Sequence, residues 1–96
     1  MANHLFLVHC GFYDSELGDG IYESHTNFFV VADSFESARS KIKENQQFKL
    51  KRMHVDGIQQ IEAVDGFRLN LNEDPGLLGR SEVISHKHRE LAPKKV

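Results

Sequence analysis

The alternation of apolar and polar positions predicts four extended segments and one amphipathic helix. "HLFLVHC" (residues 4–10) is short, apolar and β-prone, and predicts a first strand. Its two faces, Leu5/Leu7/His9 and Phe6/Val8/Cys10, are both largely apolar, which suits a central strand covered on both sides. Segment 11–22 is rich in Gly and Asp and predicts a loop. "SHTNFFVVA" (24–32) predicts the second strand. Thr26, Phe28, Val30 and Ala32 share one face, and His25, Asn27, Phe29 and Val31 the other. This second face begins polar and turns apolar, so it should run from an exposed end to a covered one.

"DSFESARSKIKENQQF" predicts a helix opened by Asp33 or Ser34, with Asp33 and Glu36 at capping-box spacing and an end near Gln47. Phe35, Ala38, Ile42 and Gln46 recur at helical spacing and should pack on a sheet, with Arg39, Ser40, Lys41, Lys43 and Glu44 facing water. "KRMHVDGIQQIEAV" (51–64) predicts a third strand. Gly57 within it marks a bulge, because the apolar parity changes there, from Met53 and Val55 to Ile58 and Ile61. Asp65-Gly66 predicts a type I′ turn, which needs positive φ at both positions. "FRLNLN" (67–72) predicts a fourth strand with Phe67, Leu69 and Leu71 inward. From Glu73 onward, Pro75, Gly76 and Gly79 break the pattern.

The expectation is an α+β fold: one ββαββ domain over residues 1–72, with a four-stranded mixed sheet in the order 2-1-3-4 and one helix on one face. Residues 73–96 would form a C-terminal extension, loosely docked or disordered. One helix covers only one sheet face, so Leu5, Leu7, Phe29 and Val31 would need a partner. A homodimer packed sheet to sheet is the simplest. A chain of 96 residues also has a thin core, burying roughly 60–65% of the surface its unfolded form exposes.

A net charge of −2 argues against nucleic-acid or anionic-membrane binding. The single cysteine, Cys10, excludes an intramolecular disulfide and a multi-cysteine metal knuckle. The apolar run at the start is too short for a membrane span or signal peptide, so a cytoplasmic location is expected. Segment 39–52 is mostly basic and loop 11–24 wholly acidic. Such patches can steer self-association or a protein partner, or can simply be solvated.

"HCGFYDSELGDGIYESH" (9–25) is rich in potential metal ligands but fails as a calcium loop. Counted from Asp14, position five is Gly18, position six is Asp19 and position twelve is His25. Gly18-Asp19-Gly20 leads into a strand, so it is no phosphate loop. Cys10 reads as a small buried residue rather than a nucleophile. The six histidines show no helical i, i+4 pair, and His86-Lys87-His88 is a weak doublet, so no metal site and no cofactor are expected. The remaining candidates are Glu23 with His25, and His54 with Asp56, each pair two apart on one strand face. If they converge beside Gly57, they form either a ligand or acid–base site, or a polar cluster that fixes strand register.

"YESHTNFFVVADSFESARSKIK" and "MHVDGIQQIEAVDGFRLNL" resemble the bacterial domain of unknown function family 1543. The resemblance rests on Glu23, His25 and Phe29, on His54 and Asp56, and on Val64, Asp65, Gly66 and Phe67. It spans roughly residues 4–72 and implies a small cytoplasmic bacterial domain, sometimes found in tandem. It implies no activity, cofactor or catalytic residue. The expected function is a non-enzymatic interaction or regulatory module, with ligand binding through the Glu/His cluster as the alternative.

Overall fold

Phe6, Val8 and Cys10 have no exposed surface, and they lie on the strand around which the fold is built. The computed structural model describes residues 2–91. Strand β1 (His4–Tyr13) is the middle of a three-stranded sheet, between β2 (Glu23–Ala32) and β3 (His54–Ile61). Both neighbours run antiparallel to β1. The chain leaves β2, forms α1 (Phe35–Lys43) and α2 (Gln46–Leu50), and crosses β1 to enter β3. β2 and β3 therefore point the same way but never touch as neighbours, and the expected mixed pairing does not arise.

The helices cover one face. Val8, Cys10, Ile42, Phe48 and Met53 form one core cluster, with Phe12, Phe28, Val30, Val55 and Ile58 packed against it. Phe6, Ala32 and Ala38 form a second, and Phe35 meets Phe6 edge to face at 5.1 Å. The alternation along β1 thus sends Phe6, Val8 and Cys10 inward, with Phe12 continuing the series. Leu5 and Leu7 are half-buried and His9 is exposed, so β1 is central in the sheet but packed by helices on one side only.

Local chemistry explains the element boundaries. Ser34, rather than Asp33, caps α1; its hydroxyl oxygen accepts from the Ser37 N–H at 3.0 Å. The predicted single helix is two, because Asn45 interrupts it. The Asn45 side chain accepts from the N–H groups of Gln47 and Phe48 at 2.9 and 3.2 Å and starts α2. α2 ends in a Schellman motif: Met53 N–H donates to the Phe48 carbonyl and Arg52 N–H to that of Lys49. Phe48 and Met53 close it with an apolar contact in the core. Arg52 holds the left-handed position at φ 49°, where glycine is usual.

The fourth strand of the expected sheet is absent from it. β3 stops at Ile61, and β4 (Ala63–Val64) pairs only with β5 (Phe67–Arg68) in a separate hairpin. The Asp65-Gly66 turn has the expected positive φ values, 52° and 84°. Arms of two residues are too short to reach the main ladder, so Phe67 is 74% exposed and Leu71 42%, not inward. From residue 73 to residue 87 the chain has turns but no regular element, before α3 (His88–Leu91). Among the described residues, no helix is long and apolar enough to cross a membrane.

Arg52→Gly is expected to raise stability by up to about 1 kcal/mol, because glycine carries no Cβ penalty at positive φ. Chemical denaturation of the two proteins checks this; an unchanged or lowered midpoint would contradict it.

Candidate functional site

The uncovered face of the sheet carries the candidate residues, and strand register decides which of them meet. Gly11 of β1 lies opposite His25 of β2 on one side and His54 of β3 on the other. Adjacent strands are about 4.8 Å apart, so the two histidine backbones flank Gly11 at roughly 10 Å from each other. Their imidazoles lean inward over the glycine. A Cβ on Gly11 would stand 2.3 Å from Glu23 Oε1, 2.6 Å from His54 Nε2 and 2.8 Å from Asp56 Oδ2. The missing side chain of Gly11 is the space the cluster occupies.

The fourth residue sits at a register shift. Cys10 pairs with Val55 and His9 with Gly57, so Asp56 is the extra residue of a bulge between them. The parity change at Gly57 in the sequence comes from this bulge, although the bulged residue is Asp56. Asp56 shares the face of His54 by ordinary alternation, and the bulge turns Gly57 to that face as well and sends Ile58 to the core.

All four sequence candidates converge. Glu23 Oε1 lies 3.0 Å from His54 Nε2 and 3.0 Å from His25 Nε2. Asp56 reaches His54 Nε2 through Oδ1 at 3.2 Å and His25 Nε2 through Oδ2 at 3.3 Å. The contact between His54 Nε2 and Glu23 Oε1 has hydrogen-bond geometry. Each of the four side chains is between a third and a half exposed.

Two β1 residues that the sequence reading left aside support the cluster. The Tyr13 hydroxyl donates to Glu23 Oε2 at 3.3 Å, directly across the ladder. The His9 ring stacks on His25 with centroids 5.0 Å apart and planes 8° from parallel, and His9 Nδ1 is 2.7 Å from Asn27 Oδ1. The predicted first strand stopped at Cys10, which left Gly11 and Tyr13 in a loop. The inward series Phe6, Val8, Cys10, Phe12 would have carried the strand past Gly11. A shallow hollow of about 430 Å³ adjoins the cluster, lined by Leu7, His9, Asn27, Gly57, Ile58 and Gln59.

The hydrogen bond from His54 is the main cause that holds the Glu23 carboxyl below its usual range, against the opposing effect of burial. The Glu23 charge in turn pushes the Tyr13 phenol up. Cys10 faces the core, and burial first, then the Asp56 charge, raises its thiol. Both effects favour the neutral thiol over the thiolate. Two sets of donor atoms lie within 4.8 Å of one another and could hold a cation: Glu23/His54/Asp56 and His9/His25/Asp56.

The acidic loop and the basic segment meet each other. Lys51 Nζ pairs with Asp14 Oδ2 at 3.4 Å and lies over the Phe12 ring, and Lys49 pairs with Glu44 at 2.9 Å. The Asp14 carboxyl is held low first by the Glu16 backbone N–H and then by Lys51. Lys41 Nζ donates to the Val31 carbonyl. These lysines are engaged within the chain.

Gly11→Ala should push the ends of Glu23, His54 and Asp56 aside and so move the ring proton resonance of His54, while Gly57→Ala, whose Cβ would meet nothing within 4 Å, should leave it nearly in place. Proton NMR of the histidine rings separates them, and equal effects would contradict the close approach over Gly11. Glu23 has a depressed folded-state pKa, so its contribution is present above the unfolded-state value and lost as pH falls through the folded one. Glu23→Gln should therefore lower the unfolding midpoint at neutral pH. The gap to the unmodified protein should close in acid; a gap independent of pH would contradict the pairing.

A family model described as Domain of Unknown Function (DUF1543) matches residues 20–71. The matched span contains β2, both covering helices, β3, the hairpin and all four clustered side chains. No curated protein and no solved structure matches the chain. With more than half of its residues matched, the chain belongs to the DUF1543 family.

Proposed function

We infer that this protein is a small, non-enzymatic interaction module of a bacterial cytoplasm, and that it pairs with a second copy through the uncovered face of its sheet. The observation that carries this reading is the bare apolar end of that face. Phe29 is 70% exposed and Val31 41%, beside the half-buried Leu5, Leu7 and Ile61. Gly79, Arg80 and Ser81 line a groove with Leu5, Phe29 and Val31, yet most of the Phe29 ring remains in water. Burying such a ring is worth about 2 kcal/mol per protomer, and sheet-on-sheet packing at roughly 10 Å would do so. The engaged lysines and the negative net charge do not favour nucleic acid.

A second reading has its own support. The Glu23, His25, His54 and Asp56 side chains meet at 3.0–3.3 Å beside an open hollow. That arrangement favours a site for a small ligand, or for minor acid–base chemistry, at the polar end of the same face.

Size-exclusion chromatography with light scattering tests the dimer. A mass of twice the 11.0 kDa chain is expected at high concentration, and Phe29→Asp should shift it to the monomer. A strict monomer at all concentrations would overturn the reading.

A further inference from the structure

We propose that Glu23, His54 and Asp56, with His25 closing the set, bind a first-row divalent transition-metal ion. The proposal deepens the ligand-binding reading above by naming the ligand class. The first reason is a shortage of protons. Each Nε2 carries at most one hydrogen, pointing in one direction, yet each faces two carboxylate oxygens at 3.0–3.3 Å. One of these four contacts, from His54 to Glu23, is a directed hydrogen bond. A cation at the centre would satisfy all of these atoms through lone pairs.

The second reason is spacing. Zinc-type ions hold nitrogen and oxygen ligands at about 2.0–2.2 Å. Ligand atoms on such an ion lie about 3.0 Å apart at an octahedral edge and about 3.4 Å at a tetrahedral one, by geometry from those bond lengths. The four imidazole–carboxylate separations fall in that interval. Glu23, His54 and Asp56 already present a three-donor set within 4.8 Å, and His25 lies against two of its members.

The third reason is support. Gly11 leaves the cradle open, since any Cβ there would occupy it. The Tyr13 hydroxyl holds the far oxygen of Glu23, and the His9 ring holds the His25 plane. Outer partners of this kind orient ligands at metal sites. Two carboxylates balance a divalent charge, and the imidazole share selects zinc, cobalt or nickel over magnesium or calcium. The sequence hid this set because its members come from β2 and β3, 31 positions apart between Glu23 and His54, with no helical or short-range ligand spacing.

Calorimetric titration of the EDTA-treated full chain with zinc chloride, alongside visible absorption with cobalt chloride, tests the proposal. One equivalent of zinc should bind saturably, cobalt should develop d–d bands, and magnesium and calcium should bind at least tenfold more weakly. His54→Ala and Glu23→Gln should each weaken zinc binding at least tenfold, while His86→Ala/His88→Ala leaves it unchanged. In the unmodified chain, zinc should move the ring proton resonances of His25 and His54, which guards against variants that merely misfold. No saturable binding, affinity that survives both site variants, or shifts confined to His86 and His88 would overturn the proposal. Neither result bears on the dimer measurement, which reads mass through Phe29.

Discussion

The middle position of β1 is the constraint on which the other features rest. Phe6, Val8 and Cys10 point into the single helical layer and are fully buried. A β-strand alternates, so the residues between them must point the other way. Leu5, Leu7, His9, Gly11 and Tyr13 are thereby committed to the face that no helix covers. Glu23, His25 and His54 are placed by pairing with that set, and Asp56 by the bulge that follows His54 and Val55. His25 and His54 meet because both lie opposite Gly11, and Glu23 is held because it lies opposite Tyr13. The core and the site are two consequences of one strand's pleat.

The uncovered face has two characters. At one end, Leu5, Leu7, Phe29, Val31 and Ile61 leave an apolar surface; at the other, imidazoles and carboxylates gather over a glycine. The division follows the β2 sequence, where the same face runs from Glu23 and His25 through Asn27 to Phe29 and Val31. The sequence pattern had its polar end exposed and its apolar end covered. In the single chain the apolar end is open too, because α1 and α2 both lie on the opposite side of the sheet.

Much of the fold was legible. The Asp65-Gly66 turn was readable because positive φ at two successive positions has few solutions. The inward faces of β1 and β2 were readable because apolar alternation is a period-two signal. Other parts were not. Asn45 looked like one more polar residue of a long helix, yet its side chain takes two backbone donors and divides the segment. Residues 67–72 alternate as cleanly as a real strand, but nothing local tells a strand whether a neighbour's edge is within reach.

The sequence by itself determined the α+β class, the two faces of β1 and β2, the Asp65-Gly66 turn and the identity of the four polar side chains worth watching. Those features depend on residues near one another in the chain, where backbone sterics and side-chain periodicity act directly. Only the tertiary structure decided that Gly11 lies between two histidines, that Asp56 is the extra residue of a bulge, and that the last hairpin stands apart from the sheet. Those facts depend on register, which pairs residues tens of positions apart. A register is chosen by the packing of the whole buried face, not by any short stretch that enters it.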